Sequence, residues 1–250
     1  MLEIGYASDK GRSRQSNEDA LLILSKERFF VVADGVGGNN SGEMASGETV
    51  KSVADYVRRN HFSDDMDERD LMFRMQECVE EVNSHVLSLS REFPENRGMA
   101  STLLMCKIND SDAYIYNVGD SRAYINQKGK LSLITEDHSY VNTLLHMGVI
   151  TPEEAKHHER GNIITRAIGA EKYVQGDFYE MRLKDGDTLI MCTDGLYGEI
   201  EDEDFRNLTN VTNDMQQLAD SLIKAANAAG GRDNITVVCL KYRKEAANEQ

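Results

Sequence analysis

Basic residues are scarce: 28 lysines and arginines stand against 43 aspartates and glutamates, a net charge of −15 over 250 residues. Long-range repulsion at that charge opposes nucleic acid and anionic membrane as partners. An acidic solvated surface, or carboxylates gathered to bind cations, fits the composition instead. No run of about eighteen apolar residues occurs, so no membrane insertion is expected. The opening stretch MLEIGYASDKGRSRQSNED lacks an apolar signal core, which predicts a mature cytoplasmic protein. Proline is confined to Pro94 and Pro152, and no linker, repeat or low-complexity tract interrupts the chain, so 1–250 reads as a single domain. Cys78, Cys106, Cys192 and Cys239 form no C-x-x-C pair and read as small core residues in a reducing compartment.

What is present is a series of short β-branched and aromatic runs: Glu3–Ser8, Ala20–Leu24, Phe29–Ala33, Ser101–Ile108, Ala113–Val118, Arg122–Asn126, Phe178–Leu183, Thr188–Cys192 and Ile235–Lys241. Between the third and fourth, apolar stripes predict helices over Gly42–Asn60 (Val50, Val53, Ala54, Val57) and Asp67–Arg91 (Leu71, Met75, Val79, Val82, Val86, Leu89); Asp214–Ala229 predicts a third. Short strands at hairpin spacing imply mainly antiparallel sheet. Helices amphipathic on one side should cover the outer faces of two stacked sheets, an α+β arrangement. The segment Ser139–Ile163 has helical fragments but breaks the strand series, and reads as an excursion over one end of the sandwich.

Three of these runs lead into aspartate: FFVVADG at Asp34, TLIMCTDG at Asp194 and AYIYNVGD at Asp120. Asp233 in GGRDNITVV opens the last strand, and Glu18-Asp19 precedes the second. Brought to one edge, such carboxylates would repel one another unless a cation joined them. Oxygen-only donors suit Mg²⁺ or Mn²⁺ and not zinc. A lone Asp-Gly is more often a turn; their recurrence at apolar strand ends favours a metal site. The other reading of DGVGG, a dinucleotide loop, lacks its third glycine, since Asn40 stands there. Neither an aspartyl-phosphate nucleophile (Val32 occupies its place) nor G-x-S-x-G nor a P-loop is found, and no arginine follows any cysteine by six residues.

With SDKGRSRQSNEDA, VVADGVGG, GMASTLLM, NVGDSRAY, EDHSYVNTLL, GVITPEEA, NIITRAIG, CTDGLYG and GGRDNITVV in this order over nearly the whole chain, the sequence resembles the metal-dependent serine/threonine protein phosphatases of the 2C type (PPM), most of all the stand-alone bacterial members. The resemblance implies a four-layer α-β-β-α sandwich with a flap insertion at about 139–163. It implies hydrolysis of phosphoserine and phosphothreonine on proteins by a metal-activated water, opposing a cognate Ser/Thr kinase. Two core Mn²⁺ or Mg²⁺ ions are implied, with a possible third.

Carried over by position, Asp34 bridges the metals, Gly35 coordinates through its carbonyl, Asp194 and Asp233 complete a shell, Glu18 acts through water and Asp19 orients the set. Arg14 binds the substrate phosphate, where the plainer alternative is a salt bridge to a neighbouring carboxylate. Asp120, with Asp194, supports the third ion. A monomer is expected. Where many eukaryotic members carry histidine after Asp-Gly this chain has Val36, which leaves a metal-bound water, or His138, as general acid; a lone histidine is more often structural. Glu159 and Gly161 replace a frequent proline and basic residue in the excursion. A non-catalytic phosphoprotein-binding module would be marked by loss of the aspartates, all of which are present. A phosphatase reversing anti-sigma-type switching would usually carry a sensor domain.

Overall fold

The computed structural model describes residues 1–37, 41–156 and 158–244. Gly38 and Asn40 of the glycine-rich stretch and His157 of the excursion lie outside these. Eleven strands are described: β1 (Leu2–Asp9), β2 (Asp19–Leu24), β3 (Phe29–Val36), β4 (Ala100–Ser101), β5 (Leu103–Asn109), β6 (Asp112–Val118), β7 (Arg122–Gln127), β8 (Lys130–Leu133), β9 (Asp177–Arg182), β10 (Thr188–Cys192) and β11 (Ile235–Tyr242). One sheet runs β1-β11-β10-β7-β8. The other runs β2-β3-β5-β6-β9, with β4 on β3, and the pairings are antiparallel.

Alternation along β3 divides the core. Phe29, Val31 and Ala33 face α1 (Ser41–Asn60) and α2 (Glu68–Glu92), while Phe30 and Val32 face the second sheet. α7 (Met215–Ala229) lays Leu218, Leu222 and Ala226 on the outer face of that second sheet, against Ile190, Val237 and Cys239. The result is the expected α-β-β-α layering. All four cysteines are free and buried.

The helix ends follow their caps. Asp67 accepts from the Asp70 amide at 2.9 Å to open α2, and Asp214 accepts from Gln217 at 2.9 Å to open α7. Between β8 and β9 the excursion holds α3 (Tyr140–His146) and α4 (Pro152–Lys156). Its root is closed by main-chain bonds from Tyr140 to Ile163 (2.8 Å) and from Thr165 to His138 (2.7 Å).

The expected strand Ser101–Ile108 is in fact two, split at Thr102. β8 and two helices, α5 (Asp194–Tyr197) and α6 (Asp202–Val211), were not foreseen. β8 is an edge strand of four residues, two of them exposed, too short to announce itself.

Candidate metal centre

Asp34 does not end its strand, and Asp34-Gly35 is not a turn. β3 continues to Val36 by changing partner, from β5 at Val32↔Leu104 to β4 at Gly35↔Ser101. In the gap, the Asp34 amide donates to Thr102 Oγ1 (2.8 Å) and the Asp34 carbonyl accepts from the Thr102 amide (2.8 Å). Thr102 Oγ1 also meets Ser121 Oγ at 2.7 Å, beside Asp120. Asp19 sits directly opposite Asp34 across β2–β3. On an antiparallel pair such residues share a face.

Gly35 is required by packing. A Cβ there would stand 2.0 Å from the Gly42 carbonyl oxygen and 2.7 Å from that of Glu18. Gly42, in the first turn of α1, has no room either: its Cβ would stand 2.6 Å from Glu18 Oε2. The Glu18 carboxylate therefore rests against the start of α1, where helix-end partial charge favours an anion. The Glu18 amide donates to Asn234 Oδ1 (2.8 Å), and Asn234 Nδ2 donates to the carbonyls of Lys10 and Ser16, both at 2.9 Å. A residue next to Asp233 thus clamps the N-terminal loop carrying Arg14 and Glu18. Asp194 opens α5 straight after β10, and a Cβ at Gly195 would strike the Asn234 carbonyl at 2.0 Å.

The carboxylates raise one another's pKa. Burial pushes Asp19 up to about 7; hydrogen bonds from Thr236 and Thr193 pull it down, and Asp194 and Asp233 push it further up. Asp34 lies well above the ordinary range through burial and the charges of Asp19, Asp194, Asp120 and Asp233. Burial and Asp233 lift Asp194 to about 6; burial, Asp194 and Asp137 lift Asp120 to about 7. Glu18 is raised by burial against the pull of Arg14.

Two carboxylate oxygens, Asp19 Oδ1 and Asp194 Oδ1, are buried with no protein partner. A cation satisfies such atoms and removes the repulsion, so the donor set fits a hard divalent ion. Among the described residues, no group of three or more Asp, Glu, His or Cys side chains is disposed to enclose an ion by itself. An ion here would draw on main-chain oxygen and water as well, as Mg²⁺ and Mn²⁺ sites commonly do.

Arg14 places Nη2 2.8 Å from Asp233 Oδ2, so the structure contains the salt bridge that was the plainer alternative for it, with the guanidinium half exposed. Asp120 is buried, in the turn after β6. His138 is also buried: Nδ1 accepts from the Gly119 amide (3.1 Å) and Nε2 lies 3.1 Å from Asp177 Oδ2. Both ring nitrogens are engaged away from solvent, so the general-acid option for His138 falls and the structural one holds. Sequence reading passed over Asn234, Thr102, Thr193 and Tyr197. Thr193 Oγ1 donates to Asp19 Oδ2 (2.9 Å) and Tyr197 Oη to the Asp120 carbonyl (2.9 Å). Three of them adjoin or lie near a quoted aspartate, which was the available signal.

Known proteins resemble the chain along most of its length. The serine/threonine phosphatase stp of Listeria monocytogenes serotype 4b is 34% identical over 239 residues, 94% of each chain. The crystal structure of Stp1 from Staphylococcus aureus superposes with a TM-score of 0.89 at 30% identity, covering 98% of this chain and 96% of that one. The catalytic domain of the serine/threonine protein phosphatase PstP, solved with 2 manganese ions, gives 0.84 at 31%, covering 98% and 100%. With the profile of the protein phosphatase 2C family matching residues 9–235, the chain belongs to that family.

Proposed function

We propose that the chain hydrolyses phosphoserine and phosphothreonine monoesters on proteins in a metal-dependent reaction, opposing a Ser/Thr kinase. The observation that carries this is the crowding of Asp19, Asp34, Asp120, Asp194 and Asp233 with two buried, unpartnered carboxylate oxygens. In this reading Asp34, the Gly35 carbonyl, Asp194 and Asp233 would hold two Mn²⁺ or Mg²⁺ ions, and Glu18 would act through water. Asp19 orients the set through its bond from Thr193. Asp120, with Asp194, supports a third and weaker ion. Bound there, the cations supply a lowered pKa for water and neutralise charge on a phosphate.

The chain's own groups do the rest. Arg14 swings its guanidinium fork from Asp233 to the substrate phosphate, for which its planar donors are suited. Gly35 and Gly195 let the main chain approach without side-chain obstruction. Val36 has no proton to give and His138 is engaged, so neither protonates the leaving oxygen. The partners are phosphorylated proteins and a cognate kinase, with the chain working as a cytoplasmic monomer. No described helix is long and apolar enough to cross a membrane.

Phosphate release from a phosphothreonine peptide, measured with Mn²⁺, with Mg²⁺ and with EDTA, tests the reading and ranks the metals. Turnover should stop in EDTA and return on adding the ion. Turnover insensitive to chelation would overturn it.

A further inference from the structure

We propose that His138 is a positioning residue: its imidazole and main chain fix the Gly119–Asp120 turn and fasten it to the root of the excursion. The final step, from turn to turnover, rests on the reading of Asp120 as a metal ligand given above.

Gly119 has φ of +110°, and an added Cβ would stand 2.7 Å from Thr102 Cγ2. Such a glycine sets the direction of Asp120 with little intrinsic stiffness, so the turn must be held from outside. His138 holds it twice. Its amide donates to the Gly119 carbonyl at 3.0 Å, and its Nδ1 accepts from the Gly119 amide at 3.1 Å. Asn117 Nδ2 adds a bond to the same carbonyl at 3.2 Å. From the far side, Tyr197 Oη donates to the Asp120 carbonyl, and Arg122 stacks 3.7 Å from the Tyr197 ring while gripping Asp137 at 2.9 and 2.7 Å.

The same histidine is part of the excursion's root. Its carbonyl accepts from Thr165 (2.7 Å), and the next residue, Ser139, caps α3. Because the Gly119 N–H points at Nδ1, the ring proton sits on Nε2 and is donated to Asp177 Oδ2. Arg166 Nη1, 3.1 Å from Nε2, therefore faces another donor there, and its acceptor is Asp177 Oδ1, also at 3.1 Å. Asp177 thus fixes the tautomer that leaves Nδ1 open to Gly119. A buried histidine serving only as filler has no need of one tautomer.

The test uses the metal-free protein first. Long-range ¹H–¹⁵N spectra at pH 7 should show His138 protonated at Nε2 alone; an Nδ1–H tautomer overturns the proposal without any variant. Amide exchange at Gly119 should then accelerate at least about tenfold in His138→Gln, whose amide cannot stand in for Nδ1. It should stay near wild type in His138→Asn, whose Oδ1 falls close to the Nδ1 position. Equal exchange in the two variants overturns it. With Mn²⁺ titrated against phosphopeptide turnover, His138→Gln should need roughly tenfold more metal for half-maximal rate at little-changed KM, and His138→Asn should rescue this; equal metal requirements in the two would also overturn it. Asp120→Ala is the control. If it leaves the Mn²⁺ dependence unchanged, the ligand reading of Asp120 fails, while the tautomer and the Gly119 exchange still decide the role of His138.

Discussion

At the scale of single residues, the Arg14 guanidinium has one observed partner and one proposed. It pairs with Asp233 across a half-exposed gap, where an ion pair contributes little to stability. Its loss should therefore leave the fold intact and appear in kinetics. Arg14→Ala should raise KM for a phosphopeptide by roughly tenfold or more, since a charge-assisted contact is worth about 1.5–3 kcal/mol. Unchanged KM and kcat would reduce Arg14 to its salt bridge. His138 makes the second residue-scale prediction. Burial holds its imidazole below the ordinary pKa, against the hydrogen bond and charge of Asp177 and the charge of Asp137, with Arg166 pushing the same way as burial. Above the unfolded pKa, about 6.5, this costs nothing. As pH falls through that value the unfolded chain takes up a proton that the folded one refuses, so stability is lost. Urea unfolding at pH 7.5 and pH 5.5 should show a larger acid loss for wild type than for His138→Asn; equal losses would contradict the neutral assignment. The aspartates could be read from the chain because their repetition after apolar runs is a pattern. Asn234 and Thr193 could not, because an amide or hydroxyl acquires its role only from what it faces.

At the scale of elements, the β3 partner change explains why Ser101–Ile108 is not one strand. Ser101–Ile108 reads as continuous because nothing in its largely apolar run marks a break, and every residue in it is buried. The break at Thr102 comes from the needs of β3, whose Asp34 takes both its main-chain bonds from that threonine. Local sequence carries no trace of a partner nearly seventy residues away. The reverse holds for α1, α2 and α7, whose apolar stripes are local, as are the capping aspartates of α2 and α7; their boundaries agree within a residue or so. The excursion was recognised as an interruption, though not its two helices' exact extents. Joined to the sheets at its root, with exposed Met147 and Val149 between α3 and α4, it is placed to touch a protein substrate without holding the proposed ions. Surface changes at these two positions should alter rates on phosphoproteins while sparing a small aryl phosphate. Parallel losses on both substrates would remove recognition from its role.

At the scale of the whole molecule, the aspartates come from β2, β3, the β6–β7 turn, α5 and the loop leading into β11, so the centre exists only when the sheets are stacked. That stacking followed from strand count and one-sided helices; which strand neighbours which did not. The shared charge gives the folded protein a distinctive response to metal. Asp19 and Asp120 stand near 7 and Asp194 near 6, against roughly 4 for free carboxyls. Between about pH 4 and 7 the metal-free fold retains protons that the unfolded chain has released, so its stability from these groups falls as pH rises through that window. A cation relieves the same crowding. The rise in Tm on adding Mn²⁺ should therefore be small at pH 5 and larger at pH 7.5; the same rise at both would separate these carboxylates from metal binding. One further consequence follows from the position of β11. It lies between β1 and β10, with Leu2 opposite Tyr242, so β1 gains its strand partner only once β11 has been synthesised. Until then β1 has no sheet partner, and a chain halted before Asp233 carries most of the aspartates but no assembled centre. Synthesis of β11, and not the emergence of any one motif, is then the moment at which the centre can assemble.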